Sequence, residues 1–259
     1  LIYGYVNDGF YKVEDFEYFD SKSRTWKLKE GVVDSSPLSD TPRPGNAKFK
    51  KLTPVDPNSS NPYQLTEADR TVIGNTTPKF SGGFGLNATY KGFDLSMFFN
   101  FMYDFDVFNA NKVMLTTWAD NHENNFGMEI ASDKRWRNFD DMGNEIRYSP
   151  ELLAEFNKNA TMWNPTSIGK PISMSYAVED GSFLRLNSAT LGYTLPQEWT
   201  KKAGLNKVRF YVAGSNLFTI TGYSGYDPEV DIATGLTPNI DNNRYPRSRT
   251  YTFGAQLTF

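Results

Sequence analysis

The sequence contains no cysteine. Disulfides and thiolate metal sites are therefore excluded, which suits a bacterial envelope or secreted protein. It has no apolar run of the roughly 18 residues that a membrane-spanning helix needs, and its mean hydropathy is −0.55. That excludes a helical span but not a transmembrane β-barrel, whose alternating strands average out in hydropathy. It has no dominant charge. Lys and Arg number 27 against 30 Asp and Glu, a net −3, so there is no basic footprint for nucleic acid. It does not begin with Met or a signal peptide but with LIYGYV, and reads as an internal-to-C-terminal piece of a longer protein.

Catalytic signatures are sparse as well. The one histidine, His122, sits in a polar loop beside Asp120 and Glu123, and a metal needs at least three converging ligands. Asp140-Asp141 and Glu179-Asp180 are adjacent carboxylates. Neighbours in extended chain point apart, which is wrong for an acid–base pair. No serine nucleophile elbow occurs, and Gly83-Phe84-Gly85 precedes no helix, so it is not a phosphate loop. The sequence predicts no enzyme and no metal or other cofactor.

What is abundant is aromatic residues, 15% of the chain, arranged with period two. In residues 249–259, Arg249, Tyr251, Phe253, Ala255, Leu257 and Phe259 share one face. Thr250, Thr252, Gly254, Gln256 and Thr258 share the other. Residues 80–91 and 93–104 repeat the pattern around a tight Lys91-Gly92 turn and predict a long hairpin. Residues 182–195 alternate in their lower half, but Leu184 and Leu186 fall on the opposite parity. Either a bulge near Asn187 shifts the register or the upper half stands clear of a membrane. Residues 207–218 alternate again, and residues 1–12 do so loosely.

Six antiparallel strands are thus predicted, joined alternately by long and short segments. Residues 14–79, 105–181 and 219–248 are long; 91–92 and 196–206 are short. Short helices are expected within 111–121 and 149–160, the second from Ser149 before Pro150, and an extra strand within 170–178. Outer-membrane barrels have short periplasmic turns and long extracellular loops. Six strands cannot close a wide barrel, so the fold expected is all-β, part of a larger transmembrane barrel. Asn87, Thr89, Asp94, Asn100, Gln256 and Thr258 would face its lumen. The alternative is a secreted β-sheet module that binds carbohydrate through loop aromatics.

Four segments then carry a family resemblance. They are ADRTVIGNTTPKFSGGFGLNATYKGFDLSMFFNF, EDGSFLRLNSATLGYTLP, VRFYVAGSNLFTITGYSGYDPEV and YPRSRTYTFGAQLTF, with GYVNDGFYK near the start. In that order they resemble the C-terminal portion of the SusC/RagA family of TonB-dependent outer-membrane transporters of Bacteroidetes. The resemblance implies about 6 strands of a plugged barrel of roughly 22 strands. It also implies a SusD-like surface lipoprotein as lid, energy from the TonB complex, and import of a large nutrient, a glycan or a peptide. The remainder of the transporter, outer-membrane lipid and the barrel-assembly machinery are the other partners implied. Between residues 48 and 69 the chain departs from the family pattern. The spaced oxygen ligands and turn glycine of a calcium loop are missing, so no metal is carried over.

Trp26, Trp118, Trp136 and Trp163 fall in the long loops, and Trp199 in a short turn. The loop tryptophans admit three readings: cores of the loops, contacts to the lipoprotein lid, or stacking platforms for a sugar. Phe259, an aromatic after alternating residues, looks like the signal read by the barrel-assembly machinery.

Overall fold

The computed structural model describes all but residues 39–40, 118–126, 128–129, 131–133, 169–171 and 231–238, and the side chains of Tyr18 and Ser167. The chain forms two compact units. One comprises Leu1–Gly74 and Phe108–Val178, the other Asn75–Val107 and Glu179–Phe259.

The first unit is built from short strands and helices around apolar cores. Strand β1 (Ile2–Gly4) pairs with β6 (Thr71–Gly74), β2 (Asn7–Phe10) with β5 (Ala47–Phe49), and β3 (Phe16–Asp20) with β4 (Thr25–Leu28), all antiparallel. Residues 1–12, expected as a wall strand, are therefore two short strands of this unit. Their alternation is interrupted at Asn7-Asp8-Gly9, and Gly9 takes φ 76°. Helix α1 (Ala110–Thr116) opens with the Asn109 side chain accepting from the Lys112 amide. Helix α2 (Pro150–Phe156) starts with proline at its first position after Ser149. One core gathers Tyr5, Phe49, Leu65, Ile130, Trp163 and Met174; a second gathers Trp136, Ile146 and Leu153.

A buried carboxylate ties the 48–69 stretch together. Asp69 accepts the Leu52, Thr53 and Thr66 amides and both threonine hydroxyls, with the Lys51 ammonium 3.5 Å away. Burial alone would raise its pKa, but these donors, Thr53 first, hold it well below the carboxylate range. Tyr11 is locked in a similar way. Its hydroxyl donates to the Val33 carbonyl and accepts from the Ser35 amide, and burial pushes its pKa up to about 12.

The second unit is dominated by one antiparallel sheet. Its long strands are β7 (Phe80–Tyr90), β8 (Phe93–Tyr103), β11 (Phe183–Thr194), β12 (Lys207–Thr221) and β14 (Thr250–Thr258), in the order β14-β12-β11-β8-β7. The chain is all-β in class, and this sheet is a partial barrel wall of five strands. The short β9 (Asp106–Asn109), β10 (Val178–Asp180) and β13 (Ile240–Asp241) form a separate three-stranded sheet. The short helix α3 (Gln197–Thr200) lies between β11 and β12. The β7–β8 turn has Lys91 at φ 45° and Gly92 at φ 89°, the mirror-image turn that matches strand twist. Glycine is needed at 92 for a second reason: a Cβ there would lie 2.8 Å from the Thr194 carbonyl oxygen.

Candidate functional site

Register decides what the wall shows on each side. Across β7 and β8, Phe84 faces Phe99, Leu86 faces Met97, Ala88 faces Leu95 and Tyr90 faces Phe93. Leu95 continues to Leu191, then Val212, then Phe253. Opposed residues share a face, so these rows make one continuous apolar surface. Its side chains stand free: Phe253 is 77% exposed and Ile220 62%. Single exposed apolar residues are ordinary, but an unbroken sheet face of them marks an interaction surface.

The irregularity in β11 preserves this surface. Against β8 the register shifts between Leu186 and Ser188 with Asn187 as the extra residue, whereas against β12 the extra residue lies on β12, between Ser215 and Phe218. Leu184 then faces Phe101 and Ile220, and Leu186 faces Phe99 and Phe218, back on the apolar side. The same shift turns Arg185 to the opposite face, where it is buried. Its guanidinium meets Asp227 at 2.5 Å and lies 3.3 Å from Glu229, which Arg247 also contacts at 2.8 Å. The Arg185–Glu229 approach is close but poorly aligned, and both atoms lack a hydrogen bond. Nearby, Phe105, Val107, Phe183, Tyr223 and Val230 pack together, with the Tyr223 hydroxyl donating to Asp241 at 2.7 Å. Burial, then the hydrogen bond to Asp241, drives the Tyr223 pKa up.

The other face is polar, with small residues under large ones. Asn87, Thr89, Asp94, Asn100, Gln256 and Thr258 all lie on it, by their pairing with Ser96, Asp94, Thr89, Arg185, Arg209 and Lys207. Arg209 on β12 reaches over β11 to grip the Asp94 carboxylate with two nitrogens, Nε at 2.9 Å. Gly192 lies beneath that arm; a Cβ there would meet the guanidinium. Gly254 lies beneath Tyr211 and Gly83 beneath Phe98 in the same way.

The two ends of the wall differ. Lys91-Gly92 and residues 195–206 turn at one end, close to Tyr90, Phe93, Tyr193 and Phe259. The Phe93 and Tyr193 rings lie 4.5 Å apart there, and Trp199 is exposed. The long connections leave from the other end, where Phe80 pairs with Tyr103. A strand of 11 residues is about 36 Å long, or about 26 Å across a bilayer at the tilt usual for barrels, close to the apolar band.

In the first unit, Trp136 and Trp163 are buried. Trp163 donates its indole N–H to the Thr116 carbonyl at 3.1 Å and packs edge-on to Tyr176. Trp136 packs against Phe10 and against Gly45, where no side chain would fit. Trp26 is partly exposed, flanked by Phe16 and Phe19. It lines a cleft of about 930 Å³ with Tyr63, Asp34, Asn61 and Glu17. Trp118 and His122 lie outside the described residues. The adjacent carboxylates diverge: Asp140 accepts from Asn144, which lowers its pKa, while Asp141 meets Arg137 at 2.8 Å. Glu179 accepts from Ser224 and Asp180 from Ser182. Sequence reasoning missed the Leu52 and Thr53 donors to Asp69, 17 and 16 residues away, and the Arg209–Asp94 pair, 115 residues apart. Among the described residues no helix is long and apolar enough to cross a membrane, a fact that does not bear on strands.

No family model matches the chain. It is 32% identical to TonB-dependent receptor P3 of Formosa agariphila, over 99% of its own length and 22% of that protein. It is 37% identical to TonB-dependent receptor SusC of Bacteroides thetaiotaomicron over 86 residues, 32% of this chain and 8% of that one. Among solved structures it resembles the RagAB peptide transporter, with a TM-score of 0.64 and 22% identity over 99% of the chain and 22% of the other. The RagAB peptide importer in its closed-closed state gives 0.61 and 23% over 99% and 23%. The chain thus spans about a fifth of the length of the curated relatives it matches.

Proposed function

Because the chain is SusC/RagA-like, a portion of a TonB-dependent transporter, we propose that it supplies barrel wall and surface loops to an outer-membrane importer of large nutrients. The observation that carries this is the two-faced sheet, apolar on one side and polar on the other, with short turns at one end and long connections at the other. The apolar face meets lipid, and the polar face meets the lumen and its plug. Residues 14–79, 105–181 and 219–248 are extracellular. They contribute contacts to a SusD-like lipoprotein lid and to substrate, a glycan or peptide, with Trp26 the best-presented of the described tryptophans in these loops. TonB drives the cycle by displacing the plug. This portion carries out no covalent chemistry.

Envelope fractionation of the source cell with an antibody to this chain tests the reading. The expected antigen is an outer-membrane polypeptide several times larger than 29.4 kDa that needs detergent for solubility. A folded, detergent-independent 29.4 kDa antigen would refute it and favour the secreted module. Phe259, exposed at the short-turn end, serves as the assembly signal. Deleting it from the full-length protein should lower outer-membrane abundance more than uptake per inserted molecule; normal insertion with defective uptake would exclude that role.

A further inference from the structure

The cleft beside Trp26, about 930 Å³ in volume, runs along an open strand edge. We propose that it takes a short extended peptide, which adds a third strand to the β3–β4 hairpin by main-chain pairing. The proposal rests on the importer reading and narrows its nutrient from glycan or peptide to peptide.

The two arms of the cleft come from one incomplete hairpin. After β4 the chain reverses over residues 29–32. The Val32 amide donates to the Lys29 carbonyl at 3.2 Å there, and Gly31 takes φ 85°. The returning arm does not pair with β4, whose sheet has two strands only. It diverges, and the Asp34 amide donates instead to the Tyr63 carbonyl at 3.0 Å. The Leu65 amide donates back to the Asp34 carbonyl at 2.9 Å. The cleft is the gap left between the arms, and its lining shows how each is turned. Val32, Asp34 and Ser36 line it alternately, so that arm shows a row of side chains. Residues 26–30 line it without a break, so β4 is presented by its edge.

Hydrogen-bond phase fixes what that edge offers. The Lys29 amide donates to the Asp15 carbonyl at 3.0 Å, which makes Leu28 and Phe16 a non-hydrogen-bonded pair. Leu28 therefore turns its N–H and C=O away from β3, and by alternation Trp26 does the same. Among the described residues no backbone group of another segment bonds to either. Alternating donors and acceptors along a walled edge match one kind of partner, another extended main chain. The turn at residues 29–32 closes one end of the cleft, which suits a free chain end better than a passing loop. Lys29 and Glu30 lie at that end and have no ion pair among the described residues, so charges of both signs stand near a peptide terminus. Glu17 is held by Lys27 at 2.7 Å and Asp34 by Asn61 at 2.6 Å; these side chains form walls.

The test is titration calorimetry on the full-length protein purified in detergent. Main-chain pairing tolerates varied side chains, so the probe is a hexapeptide of alternating threonine and valine with free ends. Its control is the same peptide N-methylated at every amide, which keeps the side chains and removes the donors. The control should bind about tenfold or more weakly, the loss expected for two or more hydrogen bonds. Leu28→Pro should weaken the parent peptide to a similar degree. It deletes an outward N–H and no bond to β3, so the hairpin is retained. If that variant fails to fold, the methylated control on the unaltered protein still decides. Absence of peptide binding, equal binding of the two peptides, or unchanged binding in folded Leu28→Pro overturns the proposal. An outer-membrane protein without amide-dependent binding refutes this inference alone. A protein absent from that membrane refutes the importer reading, and the titration still decides the cleft.

Discussion

In the five-stranded wall Phe253 is 77% exposed and Ile220 62%; in the other unit Trp163 is 2% exposed and Phe49 fully buried. Both regions are rich in large apolar side chains, and they direct them oppositely. The inserted unit turns them inward and is held by ordinary burial of apolar area. The wall turns them outward along whole strands and is held by its hydrogen-bond ladders, with apolar surface left for another solvent. On the proposed function, that outward apolar face meets lipid rather than water.

That contrast can be broken most severely in the inserted unit. Trp163→Ala should destabilise it by about 3–5 kcal/mol, a cost typical of truncating a buried aromatic. Limited proteolysis of the full-length protein should then cut within this unit while the wall remains heat-modifiable on gels. Phe253→Ala should leave proteolysis unchanged.

The next largest effect belongs to the wall. Leu86→Arg, mid-strand on the apolar face, should cost roughly 2–4 kcal/mol of barrel stability. Asn87→Arg, one residue along and facing the other way, should cost little. Urea unfolding in lipid vesicles reads both. Equal costs would mean that the two faces meet similar surroundings.

Acid should discriminate between the regions too. Asp69 has a folded pKa lowered from 3.8 by its hydrogen-bond donors. Its contribution is therefore full above that unfolded value and is lost as pH falls below it toward the folded value. The inserted unit should become protease-sensitive in this acid range. Asp69→Asn should be less stable at neutral pH and show a smaller further loss in acid. The smallest effect is expected at Gly192. Gly192→Ala should displace the Arg209 arm from Asp94 and cost about 1 kcal/mol, a hydrogen bond's worth. Asp94→Asn in the same background should add little if the pair is already broken, which a double-mutant cycle measures.

The wall was legible because its period is local. Residues 80–90 and 93–103 alternate cleanly, and Lys91-Gly92 names its own turn, so the hairpin ends fall where the pattern puts them. The choice left open in residues 182–195 is resolved by pairing: the bulge at Asn187 restores Leu184 and Leu186 to the apolar face. The inserted unit was legible only in its helices. Its strands are three to five residues long, too short to show a period, and they pair across gaps as wide as that between Ile2 and Gly74. Residues 1–12 were drawn toward the wall for this reason. Asp69 resembled any loop aspartate, because the donors that define it arrive from Leu52 and Thr53.

The most direct test exploits the absence of cysteine from this chain. Leu86→Cys and Asn87→Cys would be introduced singly into the full-length protein, cleared of any other thiol, and labelled with an environment-sensitive fluorophore in vesicles containing brominated lipid. The account predicts strong lipid quenching at position 86 and little at position 87. Equal quenching, or free access of a water-soluble reagent to position 86 alone, would contradict a lipid-facing wall.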